Sequence, residues 1–235
     1  MIFIRGDTHG EEGLFCDEVM PGQSRWTAED ILIVTGDFGF VFFGEKRYLS
    51  ERNRLDALAR KPYQILFVDG NHEGFPYLMS YPEEIRFGAP VRRIRDNIFW
   101  LQRGYVYEIG GHSFFVMGGA YSMDKAFRLN WGRLHQEQAW FPEELPSAEE
   151  YHRAIEHLRA RDMTVDYILT HTAPRSAIGR LIHAAPDMND GELTGFLDWI
   201  WYGAKFEHWY FGHFHEDVEL NDRLSACYGR LRRIC

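Results

Sequence analysis

Three short apolar runs, each stopped by a glycine, constrain this chain more than any other feature. Ile2–Arg5 ends at Gly6, Ile31–Thr35 at Gly36 and Ile65–Asp69 at Gly70. Apolar runs of this length bounded by a breaker predict strands. Between the second and third, Arg47–Arg60 has helical spacing, with Leu49, Leu55, Leu58 and Ala59 on one side. This β-to-α-to-β alternation predicts an α/β fold, with parallel strands and helices on the sheet faces.

The centre of the chain changes character. Ile98–Leu101, Tyr105–Ile109 and Ser113–Met117 are closely spaced, separated by Gln102-Arg103-Gly104 and Gly110-Gly111. Such short turns predict an antiparallel meander continuing a sheet. Ala148–Arg161 is expected to be helical, with Ser147 as N-cap and Glu150 at the capping-box position. A strand over Tyr167–Thr170, a helix over Glu192–Tyr202, a strand over His208–Phe211 and a hairpin of Val218–Leu220 with Leu224–Tyr228 complete the order. Repeats, low-complexity stretches and linkers are lacking, so one mixed domain over 1–235 is the simplest account. Ala120–Pro146 is the irregular insertion, holding Trp131, Trp140, Phe141, Pro142 and Pro146. Long loops in compact domains are often lids or binding loops, and this one is a candidate lid or substrate loop.

Composition narrows the partners. A formal net charge of −9 disfavours strong nucleic-acid binding, which needs a basic surface. It leaves room for a small phosphorylated substrate, because two bound metals would add about four positive charges locally. No stretch approaches the ~20 apolar residues that cross a bilayer, so no membrane association is expected. The N-terminus lacks a basic region followed by an apolar run, and a cytoplasmic location is the default expectation. Cys16, Cys227 and Cys235 are scattered with no Cys-x-x-Cys pair, which argues against a disulfide framework and thiolate metal ligation. The sequence fixes no oligomeric state.

Five motifs follow the predicted strands: Asp7-x-His9, Gly36-Asp37, Gly70-Asn71-His72-Glu73, His171 and Gly212-His213-Phe214-His215. In open α/β sheets, sites form beyond the carboxyl ends of strands, where these side chains can converge. Asp7, Asp37, Asn71, His9, His171, His213 and His215 supply oxygen and imidazole ligands without a thiolate. That set suits Mn, Fe, Zn, Co or Ni better than Ca or Mg. Seven ligands are too many for one tetrahedral ion and suit two ions that share a bridging carboxylate. His72 is the odd member, since Asn71 already occupies the ligand position beside it. A histidine next to the metals can contact phosphate or protonate a leaving oxygen.

With these motifs in this order, the chain resembles a calcineurin-like metallophosphoesterase from Asp7 to His215. The resemblance implies a four-layer α/β/β/α sandwich of mixed sheets. It implies two divalent or trivalent transition-metal ions, Mn foremost. By it, Asp7, His9, Asp37 and His215 hold the first metal, and Asp37 bridges to the second, which also takes Asn71, His171 and His213. His72 becomes the catalytic phosphate contact or general acid, and a metal-bridging hydroxide the nucleophile on a phosphomonoester or phosphodiester. Two alternatives are a catalytically silent scaffold for partner binding and a nuclease of the same superfamily. The protein-phosphatase branch and the dinucleoside tetraphosphatases extend the second motif to Gly-Asp-x-Val-Asp-Arg-Gly. Gly10 is shared with that branch, but Phe40 replaces its acid and Val41 its phosphate-clamping arginine. Arg128 and Arg175 are the candidate substitutes, although a surface position is expected for each.

His112, His135, His152, His157, His183 and His208 match no motif. His152 and His157 are expected on a solvated helix face, and His135 in the insertion is a minor candidate for meeting substrate. Asp124 is expected in a turn, the alternative being a group behind the ligands or one that meets substrate, and Glu73 is expected to orient its loop rather than touch metal. Phe38–Phe43 is expected to pack in the core, the alternative being an apolar wall beside Asp37.

Overall fold

The computed structural model describes residues 1–181 and 191–234. The three glycine-stopped runs are neighbouring parallel strands, β1 (Ile2–Arg5), β2 (Ile31–Thr35) and β3 (Gln64–Val68). Helix α1 (Leu49–Ala59) makes the crossover between β2 and β3. A short helix α2 (Phe75–Leu78) and a hairpin of β4 (Glu83–Arg86) and β5 (Ala89–Arg95) follow. Its strands carry Glu and Arg at solvent-facing positions, a composition that hides a strand from a search for apolar runs. Strand β6 (Ile98–Leu101) lies between β3 and β5.

The expected meander breaks after β6. Strands β7 (Val106–Ile109) and β8 (His112–Met117) form a hairpin in a second sheet. The connection is not a reversal, because Arg103 anchors it between the layers. Its buried guanidinium donates to the Asp69 carboxylate from Nε (2.8 Å) and Nη2 (2.6 Å).

The insertion 120–146 is also more regular than expected, since it contains helix α3 (Lys125–His135). Arg128 and Gly132 face inward, while Phe127, Leu129 and Leu134 are exposed. The helix thus inverts the usual amphipathic pattern, which is why periodicity does not reveal it. Helix α4 (Ala148–Arg159) has the capping box of Ser147 and Glu150 that the sequence predicts. Strand β9 (Tyr167–Thr170), short helix α5 (Arg175–Ile178), helix α6 (Gly191–Gly203) and strand β10 (His208–Phe211) come next. Strands β11 (Val218–Asn221) and β12 (Leu224–Ala226) pair antiparallel, and β13 (Arg232–Arg233) returns to the edge of the first sheet.

The sheet orders are β13-β1-β2-β3-β6-β5-β4 and β11-β12-β10-β9-β8-β7. Alternation along each strand builds three apolar cores, and hence the four layers. Ile2, Ile4, Leu66 and Val68 meet Phe114, Val116, Tyr167 and Leu169 between the sheets. Phe3, Ile65 and Phe67 face the other way, onto Leu55 and Leu58 of α1. Phe115, Met117 and Ile168 pack on Leu158 of α4 and on Leu193, Leu197 and Ile200 of α6. Strands covered on both faces appear in sequence as continuous apolar runs, as β1 to β3 do.

On α1 the expected buried side is only partly right. Leu55 and Leu58 are buried, but Leu49 is 65% exposed. Glu51 takes the inward position one turn before Leu55, because its carboxylate accepts the N–H groups of Phe42 (3.2 Å), Phe43 (2.6 Å) and Gly44 (2.9 Å). Among the described residues, no helix is long and apolar enough to cross a membrane.

Candidate metal centre

Strands β1, β2 and β3 of one sheet and β9 and β10 of the other end on a common edge of the sandwich. The residues just past their carboxyl ends carry the five motifs. His9, Asp37, His213 and His215 all have positive φ, at 46°, 44°, 69° and 53°. Non-glycine residues rarely adopt this region, and such strain concentrates where side chains are aimed at a ligand. The glycines have a different task. A Cβ on Gly36 would fall 1.9 Å from His171 Nδ1, and one on Gly70 2.1 Å from Asp37 Oδ1. Only a missing side chain lets these groups approach so closely.

Two sets of candidate ligand atoms result, Asp7 with His9 and His215, and Asp7 with Asp37 and His171. In the first, His9 Nε2 and His215 Nε2 face each other at 3.0 Å, and His215 Nε2 lies 3.1 Å from Asp7 Oδ2. In the second, the Thr35 carbonyl accepts the Nδ1–H of His171 (2.9 Å), which leaves Nε2 to face inward. That nitrogen meets Asn71 Oδ1 at 3.1 Å and Asp37 Oδ1 at 3.4 Å. Asn71 turns its Nδ2 to Ser122 Oγ (3.1 Å), so its oxygen points at the histidine. Asp7 belongs to both sets, and Asp37 reaches towards the first, its Oδ2 lying 3.8 Å from His9 Nε2. Its Oδ1 also accepts the His72 N–H (2.8 Å).

This crowding of acceptors is the test of whether a cation fits. Nitrogen and oxygen lone pairs converge in a buried pocket, where they need a positive charge among them. In the protein alone, a proton supplies it. Burial disfavours a charged His171, but the Asp37 carboxylate overrides this and pushes its pKa up to about 9. Asp37 itself is held well below the usual carboxylate range; burial opposes this, and His171 outweighs it. Asp7 likewise raises His215 through their hydrogen bond. The donor set of imidazole, carboxylate and amide oxygen suits transition-metal ions at the same positions.

His213 stands apart from both sets. Its backbone N–H donates to Asp7 (3.2 Å to each oxygen) and its ring lies edge-on to His171, with centroids 5.0 Å apart. Burial lowers its pKa to about 3, so the ring is neutral and able to ligate. His72 is half-buried with its ring edge-on to His9 at 5.1 Å, and burial lowers its pKa too. Glu73 is fully buried and accepts the Phe38 N–H (2.7 Å), which ties the third motif to the second. Burial and the Asp37 charge raise its pKa well above the usual carboxylate range.

The sequence profile of the calcineurin-like phosphoesterase family matches residues 2–217, which covers both ligand sets and every strand that carries them. The chain belongs to this family. No curated protein matches it significantly.

Several residues around this calcineurin-like phosphoesterase site escape the sequence motifs. Arg128, expected at the surface, is buried and donates from Nη1 to the Asn71 carbonyl (2.9 Å) and to Ser122 Oγ (2.6 Å). Its Nε donates to the Ala139 carbonyl (2.7 Å). Ser122 passes the chain of bonds to the buried Glu144 carboxylate. The insertion therefore fastens the Asn71 loop from behind. Arg175 is at the surface as expected, donating to the Gly191 carbonyl. The only sequence sign of Arg128 and Gly132 is their i, i+4 spacing opposite the apolar positions of α3; Ser122 has none. Tyr228, also unforeseen, stacks on His215 with centroids 4.6 Å apart.

Among the remaining candidates, the Asp124 carboxylate lies near enough to act on the His72 ring, and the others find partners elsewhere. Asp124 occupies the N-cap position of α3 without a capping bond. His135 is exposed and stacks on Trp131. His152 is solvated, whereas His157 is half-buried with Nδ1 donating to the Gly104 carbonyl (2.7 Å). His112 stacks edge-on against Tyr167, and His208 Nε2 bonds Ser225 Oγ (2.8 Å). His183 and Cys235 lie outside the described residues. The Phe38–Phe43 stretch divides: Phe38, Phe40 and Val41 are core, while Phe42 and Phe43 line a cleft beside His9 and His72.

Proposed function

We infer that this protein is a hydrolase that cleaves a phosphomonoester or phosphodiester of a small substrate with two transition-metal ions, Mn foremost. The observation that carries this reading is the convergence of imidazole, carboxylate and amide groups from five strand ends into two adjoining sets that share Asp7, with Asp37 reaching from one towards the other. Asp7, His9, Asp37 and His215 would hold one ion, and Asp37, Asn71, His171 and His213 the other. When bound, such ions acidify water and neutralise the charge that develops on phosphoryl oxygens.

The protein's own groups do the positioning. Thr35 fixes the His171 tautomer, Ser122 fixes the Asn71 amide, and the His72 N–H fixes Asp37. The His72 ring, beside His9 and on the cleft wall, offers an imidazole N–H to the phosphoryl group or the leaving oxygen. No covalent nucleophile is needed, and neither Cys16 nor Cys227 touches the ligands. The net charge of −9 favours small substrates over a nucleic-acid track.

The test is turnover of an aryl phosphomonoester and of its diester by protein reconstituted with Mn²⁺, Zn²⁺, Ni²⁺ or Mg²⁺ in parallel. Hydrolysis of at least one ester with a transition metal is expected. His72→Asn should lower turnover far more than bound metal. Equal loss of both would make His72 a ligand, and no hydrolysis with any metal would refute the enzyme reading.

A further inference from the structure

The cleft next to the candidate metal centre is lined by His9, His72, Phe42, Phe43, Glu51 and Arg54. It has a volume of about 330 Å³. This lies near the small end of the ~300–1,000 Å³ span of ligand sites, so it suits a single ring or a fused pair.

Its wall is aromatic and held in place. Phe42 and Phe43 are half-buried, unlike their neighbours Phe38 and Phe40 in the core, and their rings meet edge-on at 4.7 Å. The loop that carries them has no regular partner strand, yet Glu51 accepts three of its successive N–H groups from a fully buried position. Phe43 is backed by Tyr48 (5.1 Å) and Trp131 (5.9 Å), and Phe42 by Phe141 (5.9 Å). Arg54 is held by its bond to the Gly10 carbonyl (2.9 Å) and by the Phe40 ring beneath it. A planar guanidinium and two fixed rings favour a π-system through stacking and cation–π contact. The one carboxylate in the wall is occupied by the loop's own N–H groups, which leaves little to bind a polyol.

We propose that this cleft is a leaving-group subsite for phosphoesters whose alcohol carries a planar aromatic ring. The proposal rests on the phosphoesterase reading, but its test does not depend on turnover alone.

Mn²⁺-loaded protein would be titrated calorimetrically with benzylphosphonate, cyclohexylmethylphosphonate and ethylphosphonate, and assayed on the three corresponding phosphate monoesters. These alcohols are all primary, so leaving-group acidity does not dictate the order. Benzylphosphonate should bind about tenfold more tightly than ethylphosphonate and clearly better than its saturated analogue. In Phe42→Leu and Phe43→Leu the benzyl-to-ethyl ratio should fall towards one, in binding and in kcat/KM alike. A ratio protects the test, because partial misfolding lowers both members equally. Equal affinity for the three phosphonates, or a benzyl preference untouched by both substitutions, would overturn the subsite. Selective binding without hydrolysis of the three monoesters or of the matching benzyl phosphodiester would uphold the aromatic subsite and fault the phosphoesterase reading.

Discussion

Ser122→Ala would remove a hydroxyl that is no candidate ligand itself but holds the Asn71 amide. In the native protein its Oγ accepts from Asn71 Nδ2 (3.1 Å) and Arg128 Nη1 (2.6 Å) and donates to Glu144. The losses are unequal. Arg128 keeps the carbonyls of Asn71 (2.9 Å) and Ala139 (2.7 Å), and Glu144 keeps the Ser122 N–H (3.1 Å). Asn71 Nδ2 loses its one hydrogen-bond partner in a buried place, which costs about 1–3 kcal/mol. For a chain of this size that corresponds to a melting point lower by roughly 2–12 °C. The amide can relieve the cost by rotating, but rotation takes Oδ1 away from His171. Metal affinity at the Asp37, Asn71 and His171 positions should therefore fall about 10–100-fold, the usual effect of losing a group that orients a ligand. Calorimetric titration of Mn²⁺ into chelator-stripped protein would resolve this as one weakened and one retained equivalent. Ser122→Thr, which keeps a hydroxyl, should stay near the native affinity. Two equivalents bound by the alanine variant with native affinity would refute the reasoning.

Packing on α1 and the acid response can be tested in the same way. Leu55→Ala should destabilise by about 2–5 kcal/mol in urea unfolding, while Leu49→Ala should stay within about 0.5 kcal/mol; equal effects would contradict the inward placement of Glu51 and Leu55. Asp166 accepts the Ser113 backbone N–H (2.7 Å) and hydroxyl (2.8 Å), and the backbone bond foremost holds its pKa below the usual carboxylate range. A depressed folded pKa means that its stabilisation is present above the unfolded value of about 3.9 and is lost as pH falls through the folded one. The stability gap between wild type and Asp166→Asn should accordingly narrow between pH 6 and pH 3, and a constant gap would count against the assignment.

The parts of the molecule legible in the sequence are those whose cause is local. Strands β1, β2, β3, β9 and β10 are largely apolar and run into motif residues, so their places in the chain follow from the apolar runs, with β3 displaced by one residue, Gln64–Val68 for the expected Ile65–Asp69. The α4 capping box lies within four consecutive residues. What escaped depends on partners far along the chain. The β4–β5 hairpin is charged because it sits at a sheet edge. Helix α3 turns Arg128 inward only because Asn71 and Ser122 await it there. Glu51 turns inward and Leu49 does not, because the 42–44 loop needs an acceptor. At the site, motif order named the candidate ligands, but the groups that orient them, Thr35, Ser122 and Arg128, carry no motif.

The proposed function requires that two metal ions bound by these residues confer hydrolysis at phosphorus. The most direct measurement is a stepwise titration of chelator-stripped protein with Mn²⁺, with bound equivalents and turnover of an aryl phosphomonoester and its diester read from the same samples. The expected result is two equivalents per chain, with turnover rising as the second is filled and absent without metal. Saturation at one equivalent or none, or full turnover by metal-free protein, would contradict it.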